Sequence, residues 1–195
     1  RYLERAGNGG ARARELVQQM LTFSRGKRGA PRAVDLAAIT RNMLSLLEST
    51  LPSSIEVETV LPALSASTTI DPIHFEQVLM NLCINARDAM NGSGHLRIEL
   101  SEREYSECFC CASCKQPIDG RFVALSIIDD GPGIAADVQR RMFEPFYSTK
   151  EAGKGTGMGL AIVHGNVHDY GGHLNLTTAP GEGTTIRVLL PIDRA

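Results

Sequence analysis

The sequence predicts an α/β (α+β) fold in which a mixed β-sheet is covered by helices on one face. Short β-rich segments follow one another with few long crossovers, and three segments with helical periodicity interrupt them. The chain has 195 residues, 43% of them hydrophobic and 22% charged, which suits one globular domain with a short appendage. No apolar run approaches the length needed to cross a bilayer, so we expect a cytoplasmic location, although a longer parent protein could be anchored in a membrane.

The N-terminal segment is predicted to be a separate helical appendage. Residues 2–25 have an apolar stripe with helical spacing, and residues 26–32 are rich in glycine, proline and charge, as is typical of a linker. The predicted division is therefore an appendage and linker at 1–32 and a main domain at 33–195. The net charge of −2 provides no general attraction for nucleic acid, and we expect no nucleic-acid partner.

Helix starts in the main domain are marked by capping residues. Asp35 can cap a helix that ends near Thr50, and Asp71 followed by Pro72 marks the start of a second helix. A third helix is expected at about Gly157 to Tyr170. Strands are predicted at residues 55–60, 65–70, 95–103, 122–129, 173–178 and 184–190.

The second helix has a polar face. Gln77, Asn81, Asn85 and Asp88 are spaced four, four and three residues apart, whereas apolar side chains occupy the other positions around the helix. A solvent-facing stripe is the common reason for such a pattern, but asparagine is a poor helix former and gains nothing on a surface. Amide oxygens suit Mg²⁺, so Asn85 is the first candidate ligand and Asn81 the second.

Two glycine-containing segments indicate nucleotide chemistry. The strand ending at Asp129 runs into Gly-Pro-Gly, where a carboxylate can accept a hydrogen bond from an exocyclic amine while a flat ring lies against the glycines. A plain Asp-Gly turn is the alternative. Residues 153–160, GKGTGMGL, open the third helix and can direct backbone N–H groups toward phosphate, with a glycine hinge as the alternative. They match neither a Walker A loop nor a dinucleotide fingerprint.

In order and type, four segments resemble the nucleotide-binding boxes of sensor histidine kinases, within the ATPase superfamily of gyrase, MutL and the heat-shock chaperone: 81–90, 129–133, 143–146 and 155–160. The sequences NARDA and FYSTK resemble the nitrogen-regulation and hybrid-kinase branch. The resemblance implies a two-layer sandwich of the Bergerat type, with a five-stranded mixed sheet and three helices. It also implies a mobile ATP lid at about residues 134–156.

The resemblance implies a role for each matched residue. Asn85 would bind Mg²⁺, Asn81 would support the metal and phosphates, and Asp129 would accept the adenine amine. Lys150 and Lys154 would neutralise phosphate charge, unless they are simply solvated. The catalytic candidates are Asn81, Asn85 and Lys150; the ATP-binding candidates are Asn81, Asn85, Asp88, Asp129, Gly131, Gly133, Ile134, Phe146, Lys154, Gly155, Thr156, Gly157, Met158, Gly159 and Leu160. Phe143 and Phe146 are expected to anchor the lid mainly by packing.

Asn81 separates two branches of the superfamily. In the ATP-hydrolysing relatives a glutamate four residues before the Mg²⁺ asparagine activates water, and asparagine cannot act as a base. The predicted function is therefore transfer of the ATP γ-phosphoryl to a histidine. A non-catalytic nucleotide-binding regulatory module and a gyrase-class ATPase are the alternatives.

The resemblance also implies partners for the kinase. Residues 13–26 resemble the end of the second helix of a phosphoacceptor domain, and none of the five histidines of this chain has a phosphoacceptor context. We therefore expect the substrate histidine to lie upstream of Arg1. The expected partners are phosphoacceptor helices of the same or a partner subunit, a response-regulator receiver domain, and a second copy of the parent protein in a homodimer.

A cysteine-rich segment, residues 106–117, is expected to be an insert between two strands. Its cysteines, Cys108, Cys110, Cys111 and Cys114, could hold Zn²⁺, although one short loop rarely wraps a tetrahedral ion alone. A site shared with a second subunit, a disulfide, a redox-sensing thiol and a reduced hairpin without function are the alternatives. Cys83 is predicted to be in the core.

Overall fold

A computed structural model describes residues 29–62, 67–150 and 155–193, except for the side chains of residues 107 and 108. The helix predicted over residues 2–25 lies outside the described residues. So does Lys154, one of the two lysines assigned to the lid.

Five strands form the central sheet, which confirms the predicted mixed sheet. These strands are β2 (Ile55–Val60), β4 (Gly94–Cys110), β5 (Pro117–Asp129), β6 (His173–Thr178) and β7 (Thr184–Pro191). They are arranged in the order β2-β4-β5-β7-β6, in which β2 and β4 are parallel and the other neighbours are antiparallel. Strands β1 (Arg32–Val34) and β3 (Thr68–Ile70) form a separate two-stranded antiparallel sheet.

The described residues contain three helices of ten or more residues and one short helix. They are α1 (Leu36–Thr50), α2 (Pro72–Ala89), α3 (Ala136–Gln139) and α4 (Gly159–His168). The Asp35 carboxylate accepts hydrogen bonds from the N–H groups of Ala37 and Ala38, and Asp71 accepts one from Ile73, so both predicted helix starts are confirmed. Within the described ranges, no helix combines the length and apolarity that crossing a bilayer requires.

Helices and sheet enclose one hydrophobic core. On α2 the side chains of Phe75, Val78, Leu79, Leu82 and Cys83 are buried, which confirms the predicted apolar side of that helix and the core position of Cys83. Strand β4 alternates buried and more exposed positions from Leu96 to Ser101, as expected when one face of a sheet packs on helices and the other faces water. The polar face of α2 is therefore free to line a site.

Strands β4 and β5 are longer than predicted. They pair as a hairpin as far as Cys110 and Pro117, so the cysteine-rich segment is the end of the hairpin and its turn, not a loop inserted between two strands. The register shifts between Tyr105 and Phe109, whose rings stack edge to face at 5.5 Å between centroids. These polar ends are strands because β4 and β5 pair with each other, and local sequence patterns do not reveal such pairing.

Candidate nucleotide-binding site

An open cleft of about 1500 Å³ lies between α2, the start of α4, and residues 132–150 and 155–157. One wall is the polar face of α2, and the other is the glycine-rich segment that opens α4. The side chains or backbone that line it include these predicted site residues: Asn81, Asn85, Asp88, Gly133, Ile134, Lys150, Gly155, Thr156, Gly157, Gly159 and Leu160. Two distant stretches of the sequence thus meet in one cavity.

The asparagines of α2 face the start of α4 at close range. A Cβ atom placed on Gly159 would lie 3.3 Å from Asn81 Oδ1 and 3.5 Å from Asn85 Nδ2. Asn85 Nδ2 is buried and has no hydrogen-bond partner among the described residues. A buried amide without a partner is costly, so this side chain has the signature of a group that is completed by a ligand.

The first backbone N–H groups of α4 are available to bind an anion. Its N-cap residue, Met158, has helical φ and ψ, and no side chain in the described ranges caps the first turn. The first N–H groups of a helix carry partial positive charge and suit phosphate when no side chain occupies them. Thr156 Oγ1 accepts a hydrogen bond from the Met158 N–H at 3.3 Å, just ahead of this turn.

Hydrogen bonds and a close backbone contact fix the position of the loop after β5. Gly133 has a φ of +71°, and a Cβ atom there would lie only 1.9 Å from the Ala179 carbonyl oxygen. The Ile134 N–H donates to Thr178 Oγ1 at 3.0 Å, and the Gly181 N–H donates to the Pro132 carbonyl at 2.8 Å. Only glycine fits at position 133, because both the backbone angle and the contact exclude a side chain.

Asp129 lies at the base of this loop. Its carboxylate is 9% exposed and accepts a hydrogen bond from the Gly131 N–H at 3.0 Å. Burial raises the pKa of Asp129 above its ordinary value, and the neighbouring Asp130 charge adds to this, although the Gly131 N–H opposes it. A Cβ atom on Gly131 would lie 2.7 Å from the Asp129 carboxylate and 3.5 Å from Ala89, which lines the cleft.

Ion pairs of Asp88 with Lys150 and Arg87 connect α2 to the segment that precedes α4. Lys150 Nζ lies 2.5 Å from Asp88 Oδ2, and Arg87 Nη2 lies 2.7 Å from Asp88 Oδ1. Burial by itself raises the pKa of Asp88, but the hydrogen bonds and charges of Lys150 and Arg87 outweigh it and hold that pKa below its ordinary value. The aspartate is therefore ionised at neutral pH.

Four predicted contacts are not among the residues that line the cleft: Asp129, Gly131, Phe146 and Met158. Phe146 is 69% exposed, so it does not anchor the segment by packing as expected, whereas Phe143 does pack against the core. The backbone explains this: Phe146 has a φ of +66°, and its N–H donates to the Gly157 carbonyl at 3.0 Å, which leaves the ring in solvent. Gln77 bonds Asn166 of α4 at 3.0 Å and does not line the cleft.

Several lining residues were not identified from the sequence. Thr50 ends α1 and Pro52 follows it, and Val138, Met142 and Tyr147 belong to the segment between β5 and α4. Val138 and Met142 add apolar surface to the cleft, but they lie in and just after the four-residue helix α3, which is too short to give a sequence pattern. Arg87 could be predicted from the sequence, because it lies one residue from Asp88 in the first motif.

This geometry agrees with the comparison of the sequence with known families. Residues 70–194 match the model of the family described as histidine kinase-, DNA gyrase B-, and HSP90-like ATPase. The chain belongs to this ATPase family. The match includes α2, α4 and the segment between β5 and α4, and it confirms the resemblance stated from the four motifs.

Sensor kinases are among the relatives of this family member. It is 35% identical over 180 residues to the sensor kinase CckA of Brucella abortus, covering 92% of this chain and 19% of CckA. It is 30% identical over 187 residues to the sensor histidine kinase ZraS of Escherichia coli, covering 93% of this chain and 36% of ZraS. The chain thus spans well under half the length of these relatives.

Solved structures of histidine kinases share the fold. Full-length ShkA, determined in complex with AMPPNP, superposes with a TM-score of 0.72 at 26% identity over 100% of this chain and 38% of ShkA. The histidine kinase domain of the Escherichia coli osmosensor EnvZ gives a TM-score of 0.58 at 25% identity, covering 87% of this chain and 94% of that domain. The predicted sandwich is therefore confirmed, and the domain is the ATP-binding catalytic domain of the sensor histidine kinase type.

Proposed function

We propose that the cleft binds Mg·ATP and that the domain passes the γ-phosphoryl group to a histidine on phosphoacceptor helices of the same or a partner subunit. The observation that carries this proposal is the approach of Asn81 and Asn85 to Gly159 at the uncapped start of α4. Amide oxygens and helix N–H groups facing one another suit a metal-bound triphosphate.

The other end of the cleft suits adenine. Asp129 offers a buried carboxylate that can accept a hydrogen bond from an exocyclic amine. Gly131 and Gly133 remove the side chains that would cover it, while Ile134 supplies an apolar contact. We propose that the ring lies over this loop, so that the triphosphate extends along α2 toward Gly159.

The residues present fit a magnesium ion held with the phosphates. Asn85 presents a buried amide whose Nδ2 lacks a partner among the described residues, and reversal of that amide would direct its oxygen into the cleft. We propose that Asn85 is the protein ligand and that Asn81 orients the phosphates. Bound Mg²⁺ would offset negative charge on the phosphoryl oxygens.

Lys150 is proposed to contact phosphate once a nucleotide enters. Its ammonium group already projects to the cleft wall, where Asp88 holds it at 2.5 Å. Exchange of the carboxylate for a phosphate oxygen would keep the lysine paired and would bring the segment before α4 onto the nucleotide. Lys154 is proposed as a second phosphate contact on the strength of the motif alone.

Phosphoryl transfer is favoured over hydrolysis because no side chain at position 81 can accept a proton from water. Asn81 is an amide in the place where the gyrase-class relatives have a glutamate. ATP held without a base at position 81 would be preserved until an acceptor histidine arrives. A regulatory module that binds nucleotide without transfer is the remaining alternative.

The architecture of the parent protein is part of the same proposal. We propose that residues 1–32 are the end of a phosphoacceptor helix with its linker and that 33–195 are the catalytic domain. The parent would act as a homodimer and pass the phosphoryl group to a receiver domain. A cytoplasmic location would give it access to ATP.

Two measurements test this proposal. Calorimetric titration with Mg·ATP should show one site, and Asp129→Ala should abolish binding, whereas Asp130→Ala should not, because Asp130 only bonds the His95 N–H at the surface. Unchanged binding by the Asp129→Ala variant would contradict the assigned site. The chain should then be mixed with a separately expressed phosphoacceptor helix pair and γ-labelled ATP. Acid-labile phosphohistidine is expected, and binding without transfer would favour the regulatory module.

A further inference from the structure

The turn of the β4–β5 hairpin is fastened to the start of β6. The Ala112 N–H donates to the Leu174 carbonyl at 2.6 Å, and the Leu174 N–H donates to Cys111 Sγ at 3.3 Å. Residues 111–116 therefore bend over toward a strand that is not a sheet neighbour of β4 or β5. This contact brings cysteines of the turn beside histidines of α4 and β6.

Three metal-binding side chains converge there. Cys111 Sγ, Cys114 Sγ and one ring nitrogen of His173 all lie within 4.8 Å of one another. Cys111 is fully buried, and both cysteines are free thiols. His173 Nδ1 is buried without a hydrogen-bond partner in the described part of the chain, which is an independent sign that a ligand is missing.

A fourth donor stands next to this group. His168 Nε2 lies 3.8 Å from Cys111 Sγ and is hydrogen bonded to Ser113 Oγ at 2.9 Å. Four ligands on a tetrahedron around zinc, with bonds of about 2.0–2.3 Å, lie roughly 3.3–3.8 Å apart. His168 is not one of the three side chains whose ligand atoms all lie within 4.8 Å of one another, so it must rotate toward Cys114 and His173 and exchange its bond to Ser113 for the metal to complete the set.

We propose that Cys111, Cys114, His168 and His173 bind one Zn²⁺ ion that fastens the hairpin turn to α4 and β6. Two thiolates with two imidazoles form a common tetrahedral zinc set, and they disfavour the hard cations that prefer oxygen. The site holds no open position, so its role is structural. It lies at the C-terminal end of α4, about 13 Å along the helix from Gly159.

This set differs from the four cysteines considered from the sequence. Cys110 is exposed and does not belong to the converging group. Cys110 is the last residue of β4, whereas Cys111 begins the turn and is buried beneath it. The sequence gives no sign that His168 and His173 are ligands of the same ion, because they lie 54 and 59 positions after Cys114.

The test is the zinc content of the purified chain. The protein should be prepared under reducing conditions without chelator, and metal should be measured by inductively coupled plasma mass spectrometry. One zinc per chain is expected. Cys114→Ser and His173→Gln should each lose most of it, whereas Cys110→Ser and His95→Gln, which change exposed residues outside the group, should retain it.

Cobalt substitution identifies the ligands and guards against misfolding. Wild-type protein loaded with Co²⁺ should show tetrahedral ligand-field bands and thiolate charge transfer, and His168→Gln should shift the ligand-field bands. Circular dichroism and nucleotide binding report whether each variant has folded. Equal loss of zinc in Cys110→Ser, a Cys111–Cys114 disulfide in the native protein, or a reduced folded chain that takes up no zinc would each overturn the proposal.

Discussion

Lys150 Nζ lies 2.5 Å from Asp88 Oδ2 and thereby joins the segment before α4 to the polar face of α2. The two side chains are 34% and 24% exposed, so the pair is partly screened by solvent. Partly exposed pairs contribute about 0.2–1 kcal/mol, which is small enough for a phosphate group to displace the carboxylate. The pair can therefore hold Lys150 against α2 until a phosphate group replaces the carboxylate.

The first prediction concerns this pair. Asp88→Asn should raise the affinity for Mg·ATP by roughly 2–5-fold, because it frees Lys150 and removes a negative charge from the cleft. Lys150→Met should lower the affinity by about tenfold, because a charge-assisted contact to phosphate is lost. Isothermal titration calorimetry at fixed ionic strength measures both.

The double variant separates two causes of that gain. If Asp88 acts by holding Lys150, Asp88→Asn should gain less in the Lys150→Met background than in the wild type. An equal gain in both backgrounds would mean that Asp88 merely repels phosphate. Arg103→Met is the matched control, since this cation pairs with Glu99 on β4 and should leave affinity unchanged.

The second prediction concerns Gly133, which has a matched control in Gly181. Both have positive φ, +71° and +83°, but a Cβ atom on Gly133 would lie 1.9 Å from the Ala179 carbonyl oxygen, whereas one on Gly181 would meet nothing within 4 Å. Gly181→Ala should lower the free energy of unfolding by about 1–2 kcal/mol from backbone strain alone. Gly133→Ala should cost more and should also weaken nucleotide binding. Urea unfolding and calorimetry check this, and equal costs would exclude the contact as a cause.

Features with a local cause could be predicted from the sequence. Asp35 and Asp71 cap their helices because capping needs only a side chain and the next few N–H groups. The spacing of Asn81 and Asn85 correctly placed them on one side of a helix. These interactions are encoded within one or two turns.

Features with a distant cause could not be predicted. Asp88 and Lys150 are 62 residues apart, and nothing at either position identifies the other. Residues 104–110 carry no alternating apolar pattern, yet they extend β4 because β5 pairs with them. The exposure of Phe146 likewise depends on Gly157, whose absent side chain lets the two backbones touch.

The third prediction concerns Asn85, the proposed ligand of Mg²⁺. Asn85→Ala should remove most of the Mg²⁺ dependence of nucleotide binding, because the affinities measured with Mg²⁺ and with chelator should become similar. Asn166→Ala is the control: it removes an amide that bonds Gln77 on the neighbouring helix face and should preserve the dependence. A Mg²⁺ effect of wild-type size in Asn85→Ala would assign the ion to another residue, with Asn81 tested next.

The last prediction is that ionised Asp129 lowers the stability of the folded domain although nucleotide binding requires it. Burial, with the nearby Asp130 charge, raises the pKa of this carboxyl, so ionisation costs the folded protein more than the unfolded chain. When folding raises the pKa of a carboxyl group, this free-energy cost is absent at pH values below the ordinary pKa of 3.8. The cost grows as the pH rises through the pKa of the folded state, and it is constant at higher pH. Asp129→Asn keeps an acceptor for the Gly131 N–H but cannot ionise. Its stability relative to wild type should therefore rise across the acidic range and remain higher at neutral pH.

Urea unfolding of both proteins from pH 3.5 to 8 measures this difference, since titrating groups that do not interact with Asp129 are shared and cancel, and the coupling to Asp130 is part of the measured difference. Nucleotide binding by Asp129→Asn should fall at neutral pH, because the amide NH₂ group or a weaker neutral acceptor replaces the carboxylate that we propose accepts the adenine amine. A functional site commonly retains such a destabilising group. A stability difference that is constant with pH, or that falls as pH rises, would show that Asp129 is not held at a raised pKa in the folded domain.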